Sequence, residues 1–167
     1  MRKSIAGLIV LSVAAGLLGS PSANAQELKK LSLDDASSIG LTIQTDAAVK
    51  AEGKASVKIS TIWPATVCLG EVSGLNVEDA KLLYKAKVKT ELEGEAFLEM
   101  WVQVGGGQYF SKGMNDSVKG KSEWKTIQTP FMLQKGQKLE KATLNIVING
   151  KGTIWIDDIV LSKEPLK

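Results

Sequence analysis

Hydrophobic residues recur at every second position along most of this chain, which is the period of a half-buried β-strand. The clearest run is Lys81 to Thr90, with Leu82, Tyr84, Ala86 and Val88 on one side and Leu83, Lys85, Lys87 and Lys89 on the other. From Phe97 to Val104, Leu98, Met100, Val102 and Val104 oppose Phe97, Glu99, Trp101 and Gln103. Ala55, Val57 and Ile59 form one apolar side early in the chain. Leu144, Ile146 and Ile148 form another late in it, against Thr143, Asn145, Val147 and Asn149. Shorter strands are expected around Leu28 to Leu33, within a long loop at Ile39 to Ile43, and at Val67 to Val72. A helix competes only over Val77 to Ala86, and there the period of two beyond Tyr84 favours a strand.

The breaks between these runs are turn chemistry. Trp63-Pro64 ends a strand, because proline donates no hydrogen bond and holds its predecessor extended. Ser73 to Asn76 turns the chain, Gly94 marks a hairpin or loop among Glu91, Glu93 and Glu95, and Gly105 to Gly107 reads as a hairpin turn. Met114 to Lys121 reads as a polar loop, and Gly150-Lys151-Gly152 as the turn that makes the last two strands a hairpin. Eight or nine strands without a helix predict an all-β sandwich.

Composition adds a compartment. Met1-Arg2-Lys3, the apolar run Ile5 to Leu18 and Ala23-Asn24-Ala25 have the layout of a secretory signal peptide, so residues 1–25 are expected to be removed and a single domain, residues 26–167, to remain. The expected location is secreted or periplasmic. The apolar run is short for a membrane span of about 20 residues, and no later segment approaches that length. Without Arg2 and Lys3 the 21 basic residues become 19, against 18 acidic ones. A nearly neutral domain with no basic cluster excludes nucleic acid as the expected partner.

The chain has no histidine and one cysteine. Triads that need histidine cannot be assembled, and the usual zinc sites are closed off. Cys68, between Val67 and Leu69, is expected as a small buried hydrophobe. The lysine row of Lys85, Lys87 and Lys89 has two readings, a solvated face or a cationic surface for acidic glycans.

Two constellations carry candidate chemistry. Trp101 with Glu99 and Gln103 in one row, joined across the hairpin by Tyr109 and Phe110, is what a sugar platform needs: CH faces stack on aromatic rings while carboxylate and amide take hydroxyls. The same row could equally pack under a loop or a second sheet. The second is Asp157-Asp158 between Ile156 and Ile159, where two poor strand formers need a positive or N–H partner. Successive strand residues point to opposite faces, so this pair is not expected to flank a substrate as a glycosidase does.

Residues 150–161, GKGTIWIDDIVL, resemble the last strand of galactose-binding-like jelly-roll domains, a fold similar to many carbohydrate-binding modules. EGKASVKI at 52–59, after Asp46 and Val49, and the Trp124 segment EWKTIQTPF resemble two further strands of the same domains. The resemblance implies a jelly-roll sandwich and a support role for Trp124. It also implies a structural calcium (Ca2+) held by Asp157 and Asp158 with Asp46, Glu52, Asp34 or Asp35, calcium preferring oxygen ligands. The competing reading is that the pair holds Lys54 or backbone N–H groups without a metal. The expected function is a secreted, non-catalytic carbohydrate-binding-like module whose ligand-binding residues are Trp101, Glu99, Gln103 and Tyr109. The alternative is an envelope protein–protein interaction or structural domain without glycan binding, the partner being a glycan in one case and an envelope protein in the other.

Overall fold

A computed structural model describes residues 26–31 and 42–166, so the expected signal peptide, Asp34 and Asp35 lie outside the described residues. Among the described residues there are eight antiparallel strands: β1 (Gln26–Leu31), β2 (Ile43–Asp46), β3 (Ser56–Thr61), β4 (Ala65–Ser73), β5 (Ala80–Val104), β6 (Gly107–Lys112), β7 (Val118–Leu133) and β8 (Leu139–Pro165). Among the described residues, helical structure is confined to a 3-10 turn at Met114–Asp116. β7 begins earlier than the polar loop expected up to Lys121, and its Pro130 is tolerated because, among the described residues, β7 pairs with β5 alone and lies at an edge.

β5 and β8 organise everything else. They run 25 and 27 residues, and a straight strand of that length would span about 80 to 90 Å. Each instead carries its sheet from one layer of the sandwich to the other. The early part of β5 pairs with β7 and its end with β6, while β8 pairs first with β4, then with β3 and β1. Gly94 lies directly opposite Gly150 at the crossing, with Gly152 opposite Leu92. The expected turns at Gly94 and at Gly150 to Gly152 are therefore not turns. Both strands continue through them, because residues without Cβ let the two backbones approach at the fold.

Folding the ribbon puts one side of every strand into a single core. Leu82, Tyr84 and Val88 from one layer meet Leu98, Met100, Leu144 and Ile146 from the other, all buried. In the second half of β8 the inward positions are Ile154 and Ile156, then Ile159 and Leu161, so the parity changes between them. The change is a β-bulge at Asp158, whose φ is +49°, where the register passes from Lys87↔Asp157 to Lys85↔Val160. Alternation therefore fails between Asp157 and Asp158, and both carboxylates come to the Lys87 side.

Among the described residues, one buried side-chain group lacks a hydrogen-bond partner. The Tyr84 hydroxyl is buried without a hydrogen bond, and burial pushes its phenol well above the ordinary range. Tyr84→Phe removes an orphaned polar atom with little change of shape, so it is expected to raise stability by about 1 kcal/mol. A higher urea midpoint at unchanged slope is the check, and a lower midpoint would show that the hydroxyl is satisfied in solution.

Candidate functional site

Directly opposed residues of an antiparallel ladder share a face, so the registers define a surface on the outside of the β4–β8–β5–β6 layer. One row is Glu71, Thr143, Trp101 and Phe110; the next is Cys68, Asn145, Glu99 and Lys112; Lys141, Gln103 and Gln108 continue it. Four strands make a platform about 14 Å wide.

At its centre Trp101 and Phe110 lie with ring centroids 5.1 Å apart and planes at 49°. Lys112 Nζ sits 5.3 Å from the Phe110 ring. Beneath them Glu99 is only 5% exposed. Its Oε1 accepts from Trp101 Nε1 at 2.7 Å and from Asn145 Nδ2 at 3.1 Å, and its Oε2 faces Lys112 Nζ at 3.3 Å. Glu99 thus fixes the indole and has its own partners within the protein. At the margin Glu71 takes Lys141 Nζ at 2.6 Å and Thr143 Oγ1 at 3.2 Å, and Lys141 chiefly holds its carboxyl below the usual range.

Of the expected ligand residues, Trp101, Glu99 and Gln103 share this face, with Gln103 exposed. Tyr109 does not. It pairs with Val102, which points into the core, and its ring lies over Gly107 on the other side of the ladder. Phe110, 56% exposed, takes the place beside Trp101. Cys68 is exposed on the platform side rather than buried, because Val67 and Leu69 are the inward residues of β4. Trp124 is half-buried on β7.

The acidic pair closes the other layer. Asp157 Oδ2 accepts the Ala51 and Glu52 N–H groups at 2.8 and 2.9 Å, and its Oδ1 accepts that of Asp158 at 2.8 Å. Asp158 meets Lys30 at 2.9 Å and Lys87 at 3.3 Å. Glu52 bonds Lys87 and lies 3.6 Å from Lys30. Asp46 caps the Ala48 and Val49 N–H groups, both at 3.0 Å, and accepts Trp155 Nε1 at 2.9 Å. The described members of this donor set do not fit calcium. Two ammonium groups occupy the position a divalent cation would need, and the remaining oxygens hold backbone or indole N–H groups. Asp157 holds backbone N–H groups, and the lysines that meet Asp158 are Lys30 and Lys87 rather than Lys54. Two members of the lysine row are paired as well, Lys87 with Glu52 and Lys89 with Glu123 at 2.7 Å.

These charges set a pH dependence. The Lys30 hydrogen bond chiefly lowers the Asp158 carboxyl, and Lys87 chiefly lowers that of Glu52. The two lysines are raised in return, Lys30 mainly by Asp158 and Lys87 mainly by Glu52. A depressed carboxyl stabilises above its unfolded pKa near 4 and loses that contribution as pH falls through the folded value; the raised lysines lose theirs only above about pH 10.5. Stability is therefore expected to fall from about pH 5 downward, and Lys87→Met to flatten that limb. Urea midpoints against pH test this, with calcium expected to shift neither protein. An acid limb as steep in Lys87→Met, or a calcium-dependent midpoint, contradicts the arrangement.

The fold is the β-sandwich of carbohydrate-binding modules, and the platform lies on the outside of one of its layers. Among solved structures the chain is similar to the C-terminal family 22 carbohydrate binding module of Clostridium thermocellum Xyn10B, with a TM-score of 0.56 and 13% identity, covering 85% of this chain and 96% of that one. It is similar to a xylan-binding domain from family 22, at TM-score 0.55 and 12% identity over 88% of this chain and 99% of the other. A family 16 carbohydrate binding module follows at TM-score 0.53 and 10% identity, over 73% and 86%. At such identities the likeness shows the fold alone. No family profile matches the chain, and no curated protein sequence matches it. Among the described residues no helix is long and apolar enough to cross a membrane.

Proposed function

We propose that this chain is a non-catalytic carbohydrate-binding domain, exported by its N-terminal leader, that lays a neutral polysaccharide across the β4–β8–β5–β6 face. The observation that carries this reading is the Trp101–Phe110 pair held over the buried Glu99. A braced indole presents a flat apolar face at little entropic cost, and Gln103, Gln108, Thr143 and Lys112 stand around it to take hydroxyls. Phe110 replaces Tyr109 as the flanking contact. The xylan-binding neighbour supports a β-linked plant polysaccharide as the first ligand to try.

No catalysis is assigned to the platform. Glu99 is the acid at its centre, and its oxygens are taken by an indole, an amide and an ammonium rather than facing an open cleft. Retention on insoluble xylan and cellulose is the test. Mature protein is expected to be retained and Trp101→Ala to lose at least about tenfold in affinity, one stacked ring being worth about 1 kcal/mol and its brace somewhat more. A folded wild-type protein retained by no polysaccharide overturns the reading in favour of a protein partner.

A further inference from the structure

Trp63 is the most exposed aromatic residue among those described, and the platform leaves it unexplained. It stands 63% exposed in the turn between β3 and β4, beside Ile62 at 68%. That turn is built rather than loose. Thr61 Oγ1 donates to the Trp63 carbonyl at 2.6 Å and accepts the Trp63 N–H at 3.3 Å, and Pro64 follows. Trp63 and Ile62 together form an exposed apolar patch on a fixed turn, and covering it with an apolar face is favourable.

Trp63 lines a concavity of about 1100 Å³ near the crossing, on the other layer of the sandwich from Trp101. Ser60 and Thr153 lie opposite each other on its floor with their hydroxyls 3.0 Å apart. Its charges are matched in sign: Glu91 pairs with Lys121 at 3.7 Å and Glu93 with Lys151 at 3.0 Å. A floor of hydroxyls, a wall of balanced charges with both donors and acceptors, and one aromatic ring at the rim suit a neutral, hydroxyl-rich ligand. An acidic or basic chain would meet like charge as often as opposite charge.

From this we infer that the groove beside Trp63 is a second site for a neutral oligosaccharide, with Trp63 stacking on a pyranose ring. The ligand class rests on the reading of the platform as a glycan site. With both sites, one domain engages two polysaccharide chains, or two places on one chain, and its avidity exceeds that of either weak site.

The four indole N–H signals separate the two sites in an NMR titration of mature protein with xylohexaose, cellohexaose and mannohexaose. In wild type the Trp63 and Trp101 signals are both expected to move and saturate. In Trp101→Ala the Trp63 signal still moves. In Trp63→Ala the Trp101 signal still moves, and Trp63→Phe regains part of the binding at the groove, read from the backbone amides of Ser60 and Thr153. Movement of Trp101 alone overturns the second site and leaves the platform standing. Movement of Trp63 alone supports the groove and overturns the platform. A Trp63 signal that shifts on dilution without sugar marks a self-association surface and overturns the inference, as does silence of both signals with every sugar.

Discussion

Gly150→Ala is expected to cost about 3 to 5 kcal/mol, enough to leave a domain of ordinary stability largely unfolded. A Cβ built on Gly150 would lie 2.1 Å from the Glu93 carbonyl oxygen, and one on Gly94 2.2 Å from that of Asn149. Both obstacles are backbone atoms of the partner strand, so no side chain can rotate away. Relief requires β5 and β8 to part at the point where both carry the sheet from one layer to the other. The glycines have φ of +153° and +133°, where L-residues add strain of their own. Gly136→Ala is the control. Its φ of +83° is also unfavourable, but nothing lies within 4 Å of the added carbon, so about 1 kcal/mol is expected. Urea unfolding of the three proteins decides the matter. Equal losses in Gly150→Ala and Gly136→Ala would mean that close approach at the crossing contributes nothing.

The crossing also shows where sequence reasoning stopped. Period-two alternation identifies a strand and its inward side, and it found Val57 and Ile59 of β3, the two apolar rows of β5, and Leu144, Ile146 and Ile148 of β8. It is blind to whether a glycine ends a strand or bends it, since both look like a gap between apolar runs. So Gly94 and Gly150 read as turns, and two long strands read as four. The same blindness affected Asp157-Asp158. A bulge inserts one residue without a sequence marker beyond an Asp able to adopt φ > 0, and the alternation rule carried across it places the second carboxylate on the wrong side.

The aromatic pair at the platform's centre was legible to within one residue. Gly105 and Gly106, at φ +57° and +73°, make a two-residue turn, the arrangement whose twist suits a tight hairpin. That length fixes Val104 opposite Gly107 and hence Trp101 opposite Phe110. Reading all three glycines as the turn leaves the register open, and Tyr109 then competes with Phe110. Glu71, Thr143 and Lys112 were out of reach for another reason, because which strands become neighbours across β8 and β5 is a long-range property. The lysines that meet Asp158 and Glu52 come from β1 and β5, far in sequence from the acids they neutralise.

Glu99→Leu and Glu99→Gln are expected to part company, and their difference assigns the carboxylate. Leucine leaves the Asn145 amide buried without its acceptor, the Trp101 indole without its brace and Lys112 without its counter-charge, which together should cost about 2 to 3 kcal/mol of stability. Affinity for polysaccharide should fall about tenfold or more with it, because an indole free to rotate pays its ordering at the moment of binding. Glutamine keeps one acceptor oxygen for the indole and the amide and gives up only the ion pair with Lys112, a half-exposed partner, so stability should fall by about 1 kcal/mol or less and binding should be nearly kept. Urea midpoints, affinity electrophoresis in soluble xylan and the Trp101 indole resonance read these three effects separately. Retained affinity in Glu99→Gln with loss in Glu99→Leu is the behaviour of a group that orients the aromatic ring from below. Equal loss of affinity in both, with the indole resonance unmoved in Glu99→Gln, would place the charge itself against the sugar.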